Sequence, residues 1–130
     1  MHGKGAISVN KNFGLSHAEK EIMELLWQSG EPLSFREILD YANDTWKKNW
    51  KKQTLNTYLL NMQKAGLIGS ERGKVYQVYF PLLTREEHIH NWTRKMVKET
   101  FGGSVYSLVA AFTGGERLSE EEAEKLRKLI

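Results

Sequence analysis

A chain of 130 residues is long enough for one domain, or one small domain with an appendage, and its 40% hydrophobic content with only two prolines excludes a disordered chain. The lack of cysteine excludes disulfides and thiolate metal sites, and no apolar run approaches the roughly 18 residues needed to span a bilayer, so a cytoplasmic protein without membrane insertion is expected. Net charge is only +3, yet from Thr45 to Tyr79 seven cations (Lys47, Lys48, Lys51, Lys52, Lys64, Arg72, Lys74) stand against Glu71 alone, a local +6 that leaves the remainder at −3. A basic middle between acidic flanks points to a focused anion-binding surface; a solvated Lys-rich loop is the plain alternative, and the neighbouring helix decides between them.

The opening MHGKGAISVNKNFG lacks the apolar core of a signal peptide and reads as a flexible lead-in over residues 1–14. Four capping boxes then mark helix starts: Ser16 with Glu19, Ser34 with Glu37, Thr84 with Glu87, and Ser119 with Glu122. In each, the hydroxyl accepts from the amide three residues on, while the Glu carboxylate accepts from the cap's own amide. The first helix runs from about His17 to Ser29, with Ile22, Met23, Leu26 and Trp27 on one face and Gly30 as its stop. Glu31-Pro32-Leu33 is a short extended link able to pair with a later hairpin. A second helix, from Phe35 to about Asn43, buries Ile38, Leu39 and Ala42. The loop 44–50 is polar and basic, with Trp46 and Trp50 embedded in it.

The third helix runs from about Lys52 to Ala65, and Gly66 supplies a left-handed stop. With Leu55 at the centre of its buried face, Tyr58, Leu59 and Met62 fall on the same side at about 100° per residue. Gln53, Thr57 and Lys64 point nearly opposite, Thr54 and Asn61 lie on the shoulder, and Leu60 points outward as a mild misfit. After Leu67-Ile68, GSERGKVYQVYFP alternates and carries Gly73 beside Lys74, a hairpin signal. A helix offering uncharged hydrogen-bonding side chains, followed at once by a basic hairpin, is the plan of a winged helix-turn-helix that binds DNA.

A long helix from about Arg85 to Thr100 follows, striped by Ile89, Trp92, Met96 and Val97 and broken at Gly102-Gly103. SVYSLVAAF is a nearly all-apolar helical piece stopped by Gly114-Gly115, and a last helix, Glu120–Ile130, carries Ala123, Leu126, Leu129 and Ile130. The 47 positions from Thr84 to Ile130 are too few to bury so much apolar surface unaided, so they should pack on a second copy or on the first half.

At these blocks the sequence resembles the penicillinase repressor family, which includes the methicillin-resistance and copper-operon repressors. LSHAEKEIMELLW is similar to the family's first helix, and the run from Trp50 to Thr57 is similar to its W-x-x-x-T-[VI]-x-T approach to the recognition helix. Leu59 and Lys64-Ala65-Gly66 continue that match, the run from Arg72 to Tyr79 resembles the wing, and the run from Ser107 to Phe112 resembles the segment holding the family's cleavage bond. The likeness covers roughly residues 15–130.

The resemblance implies a mainly α chain with a small β-wing: a winged helix-turn-helix DNA-binding domain over 15–82 and a helical dimerisation domain over 83–130. It implies a homodimeric transcriptional repressor seated on an inverted-repeat operator in double-stranded DNA. It also implies cutting of the dimerisation segment, triggered in the best-known members by an antibiotic-sensing membrane metalloprotease, a candidate partner here. The family pair at the cut is usually Asn-Phe, whereas Ala111 and Phe112 stand here as the candidate cleavage position. Without cysteine there is no copper-binding hook. Asn61 stands where the family often has Arg, Lys51 where it often has a capping Ser or Thr, and the 44–49 loop is slightly lengthened.

On this reading Gln53, Thr54, Thr57 and Asn61 face base edges, since Gln and Asn suit adenine and the Thr methyl suits that of thymine. Lys51, Lys52, Arg72 and Lys74 hold phosphates without reading sequence. Ile89, Trp92, Met96, Leu108, Val109, Phe112, Leu126 and Leu129 are the expected dimerisation residues. The plain alternatives are a wet polar helix face and ordinary surface charges. His88 and His90 sit two apart on a helix, facing different ways, so no metal site is expected. The four tryptophans suit core packing and loop anchoring better than a ligand cage. No nucleophile elbow or metalloprotease pattern is present, so neither an enzyme nor a cofactor is expected. A winged-helix regulator released by a small ligand, and a protein-interaction adaptor that never meets DNA, remain the competing readings.

Overall fold

The computed structural model describes residues 12–130; residues 1–11 of the expected lead-in lie outside them. Among the described residues, α1 (His17–Ser29), β1 (Leu33–Ser34), α2 (Phe35–Asp44), α3 (Lys52–Lys64), β2 (Ile68–Arg72) and β3 (Gln77–Pro81) are followed by α4 (Arg85–Phe101), α5 (Val105–Thr113) and α6 (Glu120–Leu129).

Local chemistry sets the helix starts. Capping boxes close at Ser16 with Glu19 (3.2 and 2.9 Å), Ser34 with Glu37 (3.1 and 2.8 Å) and Thr84 with Glu87 (3.0 and 2.8 Å). At Ser119 only the hydroxyl half forms, accepting from the Glu122 amide at 3.1 Å. A further cap, not anticipated from the sequence, is the Ser104 hydroxyl on the Ser107 amide at 3.0 Å. Each such cap is worth about 1 kcal/mol. Gly30 (φ 75°) and Gly66 (φ 77°) take the left-handed conformation that ends α1 and α3, where a Cβ would be strained.

The apolar stripes converge on one core. Ile22, Met23 and Leu26 of α1 meet Ile38 and Leu39 of α2, Leu55, Leu59 and Met62 of α3, and Leu67 with Ile68 at the approach to β2. Trp27, Leu33, Phe35, Trp46, Trp50, Tyr58 and Tyr79 pack around it, partly buried. The sheet is antiparallel in the order β1-β3-β2, with Leu33 opposite Tyr79 and Ser70 opposite Tyr79 on its other side. The extended link after Pro32 thus pairs with the hairpin as the sequence indicates. Three helices closed by a three-stranded sheet, with the β2–β3 hairpin projecting, form a winged helix-turn-helix.

The chain divides into two compact units, one ending at His90 and one spanning Asn91–Ile130, so α4 starts in the first and finishes in the second. Within the first unit the base of α4 is tied to α1: the Trp27 indole Nε1 donates to the Leu83 carbonyl (2.9 Å) and Arg85 Nε pairs with Glu24 Oε2 (3.1 Å). His88 Nε2 lies 3.1 Å from the Phe13 carbonyl and its ring tilts against Trp27. No residue of Asn91–Ile130 is buried in the single chain. No helix among the described residues is long and apolar enough to cross a membrane.

Candidate nucleic-acid interface

The start of α3 has no side-chain cap. Lys51 occupies the N-cap position with extended backbone (φ −88°, ψ 163°), and its side chain cannot accept from the helix amides. The preceding loop does the positioning instead. The Asn43 amide donates to the Trp50 carbonyl at 3.0 Å, while its oxygen accepts from the Trp50 amide at 2.6 Å. Tyr41, Trp46, Trp50 and Tyr58 form a continuous aromatic run, with successive centroids 5.4, 6.2 and 5.1 Å apart, that ties the loop to α2 and α3. Between these anchors Lys47 (φ 59°) and Asn49 (φ 60°) are held left-handed, a conformation that costs a non-glycine residue about 1 kcal/mol or more. The sequence pattern did not single out Asn43; an amide seven residues ahead of its backbone partner carries no periodic signal.

The exposed side of α3 carries Gln53, Thr57 and Asn61, with Thr54 half-buried on the shoulder, while Leu55, Leu59 and Met62 are buried opposite. Leu60 is 47% exposed, the misfit its position on the helix implied. The Thr57 hydroxyl donates to the Gln53 carbonyl at 3.0 Å, so its methyl group and oxygen lone pairs are what remain for an outside partner.

The wing is joined to α3 by polar side chains. The Ser70 hydroxyl accepts from both Gln63 Nε2 (3.0 Å) and Gln77 Nε2 (2.9 Å), linking the end of α3 to β2 and β3. The hairpin turns over residues 73–76, closed by the Gly73 amide on the Tyr76 carbonyl at 2.7 Å. A Cβ at Gly73 would lie 2.6 Å from that same oxygen, so only glycine fits. Burial raises the Tyr79 phenol above its ordinary pKa.

The cations divide into two groups. Lys48, counted within the basic stretch, reaches back to α1 and pairs with Glu21 Oε1 at 2.9 Å, so it braces the loop and is not free for an anion. Lys47, Lys51, Lys52, Lys64, Arg72 and Lys74 are exposed and have no carboxylate partner among the described residues. Lys52 and Arg72 line one concavity between α3 and the wing, whereas Lys51 and Lys74 stand outside that lining.

The family model described as penicillinase repressor covers residues 15–130. The chain belongs to the penicillinase repressor family. It is 27% identical over 122 residues to the methicillin resistance regulatory protein MecI of Staphylococcus aureus (strain N315), covering 93% of this chain and 96% of that protein. It is 26% identical over 117 residues to the penicillinase repressor of Bacillus licheniformis, covering 89% and 88%. With the penicillinase repressor of Staphylococcus aureus it shares 28% over 123 residues, covering 93% and 94%. The family is one of repressors, so this member is a regulator of transcription and not an enzyme.

In this family member the expected dimerisation residues are all accessible in the single chain. Ile89, Trp92, Met96, Leu108 and Val109 are half-buried, and Phe112 (83%), Leu126 (37%) and Leu129 (80%) are exposed. Ala111 and Phe112 lie together on α5, both exposed. Trp46 and Trp50 anchor the loop before α3, while Trp27 braces the base of α4. His88 is engaged by the Phe13 carbonyl and the Trp27 ring, not by His90.

Proposed function

We propose that the protein is a homodimeric cytoplasmic repressor that binds an inverted-repeat operator in double-stranded DNA. α3 lies in the major groove, where Gln53, Thr54, Thr57 and Asn61 meet base edges, while Lys51, Lys52, Arg72 and Lys74 hold the phosphates on either side. The observation that carries this reading is the division of α3: one side is sealed into the core, and the other presents amide and hydroxyl groups between cations that lack carboxylate partners among the described residues. Dimerisation through the helices after His90 is supported by their lack of any buried residue in one chain, although Val105, Tyr106, Phe112, Leu129 and Ile130 all stand exposed. Large apolar side chains left in water at this density call for a partner surface. With two copies on one duplex, half-site centres would be about one helical turn or a multiple apart.

Release by proteolysis is the favoured route. A membrane metalloprotease acting, directly or through another protein, at Ala111–Phe112 would sever α5 and weaken the dimer. The exposure of both residues supports this. Ala111 in place of the family's Asn favours the second reading, release by a small ligand. The decisive experiment for the main reading measures binding of the full chain to duplex DNA by fluorescence anisotropy as salt is varied. Binding that weakens steeply with salt is expected. No binding to any duplex at about 50 mM salt would favour the adaptor reading instead.

A further inference from the structure

We propose that Arg36 is a DNA-phosphate ligand and that the notch between α2, α3 and the wing is the seat of a backbone phosphodiester, an assignment that rests on the repressor reading above. The notch has a volume of about 430 Å³, and Arg36, Lys52 and Arg72 all line it. These three cations come from three separate elements: the first turn of α2, the first turn of α3 and the end of β2. Convergence of like charges on one concavity is unfavourable in the free protein and is relieved when an anion enters. The nearby carboxylates do not neutralise it. Glu37 is committed to the Ser34 amide at 2.8 Å, and Asp40 stands 4.0 Å from Arg36 with both side chains more than half exposed, a pair worth little. Glu71 neighbours Arg72 along β2, and adjacent residues of a strand project to opposite faces.

The remaining lining fits a polynucleotide better than a free anion. Val75 and Tyr76 at the wing tip are 69% and 65% exposed and form an apolar wall beside the cations. Apolar surface next to clustered positive charge suits the alternation of deoxyribose and phosphate along a strand. The notch also lies between the reading helix and the hairpin, where one strand must pass from the groove that α3 occupies to the groove that the wing approaches. A guanidinium there can grip two phosphate oxygens at once.

The test is a salt titration of full-chain binding to random-sequence duplex and to the best operator available, followed by anisotropy for the unaltered chain, Arg36→Ala and Arg36→Lys. Arg36 is exposed and outside the core, so Arg36→Ala should unfold at the same denaturant concentration as the parent. Loss of one phosphate contact lowers the slope of log affinity against log salt by about 0.9 for each copy engaged. The proposal expects that reduction on both DNAs, with the ratio of operator to random affinity unchanged. It also expects most of the slope to return in Arg36→Lys. An unchanged slope for Arg36→Ala, in a chain that binds DNA, overturns this assignment alone. Failure of the unaltered chain to bind any duplex overturns the repressor reading and this assignment with it.

Discussion

Replacing Asn43 with Ala should uncouple the reading helix from the rest of the winged helix. The substitution removes both hydrogen bonds to Trp50, at 3.0 and 2.6 Å, which fix the last residue before the uncapped start of α3. Each net bond contributes about 0.5–1.5 kcal/mol, and Trp50 is only partly buried, so its freed amide and carbonyl recover some hydration. A loss of about 1–2 kcal/mol follows. The loop also holds Lys47 and Asn49 left-handed, at a cost of about 1 kcal/mol or more, and that strain relaxes once the clasp is gone. The released loop should therefore settle elsewhere and carry the first turn of α3 with it. Urea unfolding followed by tryptophan fluorescence should show a lower midpoint with an unchanged m-value. In anisotropy, operator affinity should fall well beyond what the stability loss explains, while random-duplex binding changes little. Operator affinity equal to that of the parent, in a protein destabilised as expected, would refute the idea that Asn43 places the helix.

Further predictions concern the reading face, the wing and the second unit. Thr57→Ala should weaken operator binding by about 1 kcal/mol per subunit through loss of one outward methyl contact, with random-duplex affinity nearly intact. A uniform loss on all DNA in gel shifts would move Thr57 to the phosphate-contact class. Gly73→Ala forces a Cβ to within 2.6 Å of the Tyr76 carbonyl and should distort the wing turn. Its unfolding midpoint should stay close to the parent's while its salt dependence of binding becomes shallower. Phe112→Ala should raise the dimer dissociation constant in sedimentation equilibrium, since burying a phenylalanine contributes about 1.5–3 kcal/mol in each copy. A fragment ending at His90 should be more stable to urea than one ending at Leu82, because the shorter piece lacks the Leu83 acceptor of Trp27 and the Arg85–Glu24 pair. Equal midpoints for the two fragments would show that the base of α4 contributes nothing to the first unit.

Much of this architecture was legible because it is written in short-range patterns. Ser16, Ser34 and Thr84, each three residues ahead of a Glu, mark helix starts through a bond geometry that needs no tertiary context. The spacing of Leu55, Leu59 and Met62 assigned the sealed side of α3, and therefore the side holding Gln53, Thr57 and Asn61. Gly73 announced the hairpin. Long-range polar pairing was not legible. Lys48 counts as one more cation in the sequence, yet its charge is spent on Glu21, 27 positions earlier, and no local pattern encodes that pair. Ser70 looks like an ordinary strand residue until Gln63 and Gln77 are both found donating to it. Arg36 carries no signal in the sequence, because its companions, Lys52 and Arg72, come from elements that meet only in the folded chain. Nothing in the pattern Ile89, Trp92, Met96 shows Trp27 reaching the Leu83 carbonyl.

Selection of binding sites from a random duplex pool by the purified full chain tests the central claim most directly. Two α3 faces presented to one duplex should enrich an inverted repeat whose half-site centres lie about one helical turn, or a multiple, apart. Enrichment of a single unrepeated site, or of no sequence over the starting pool, would contradict it.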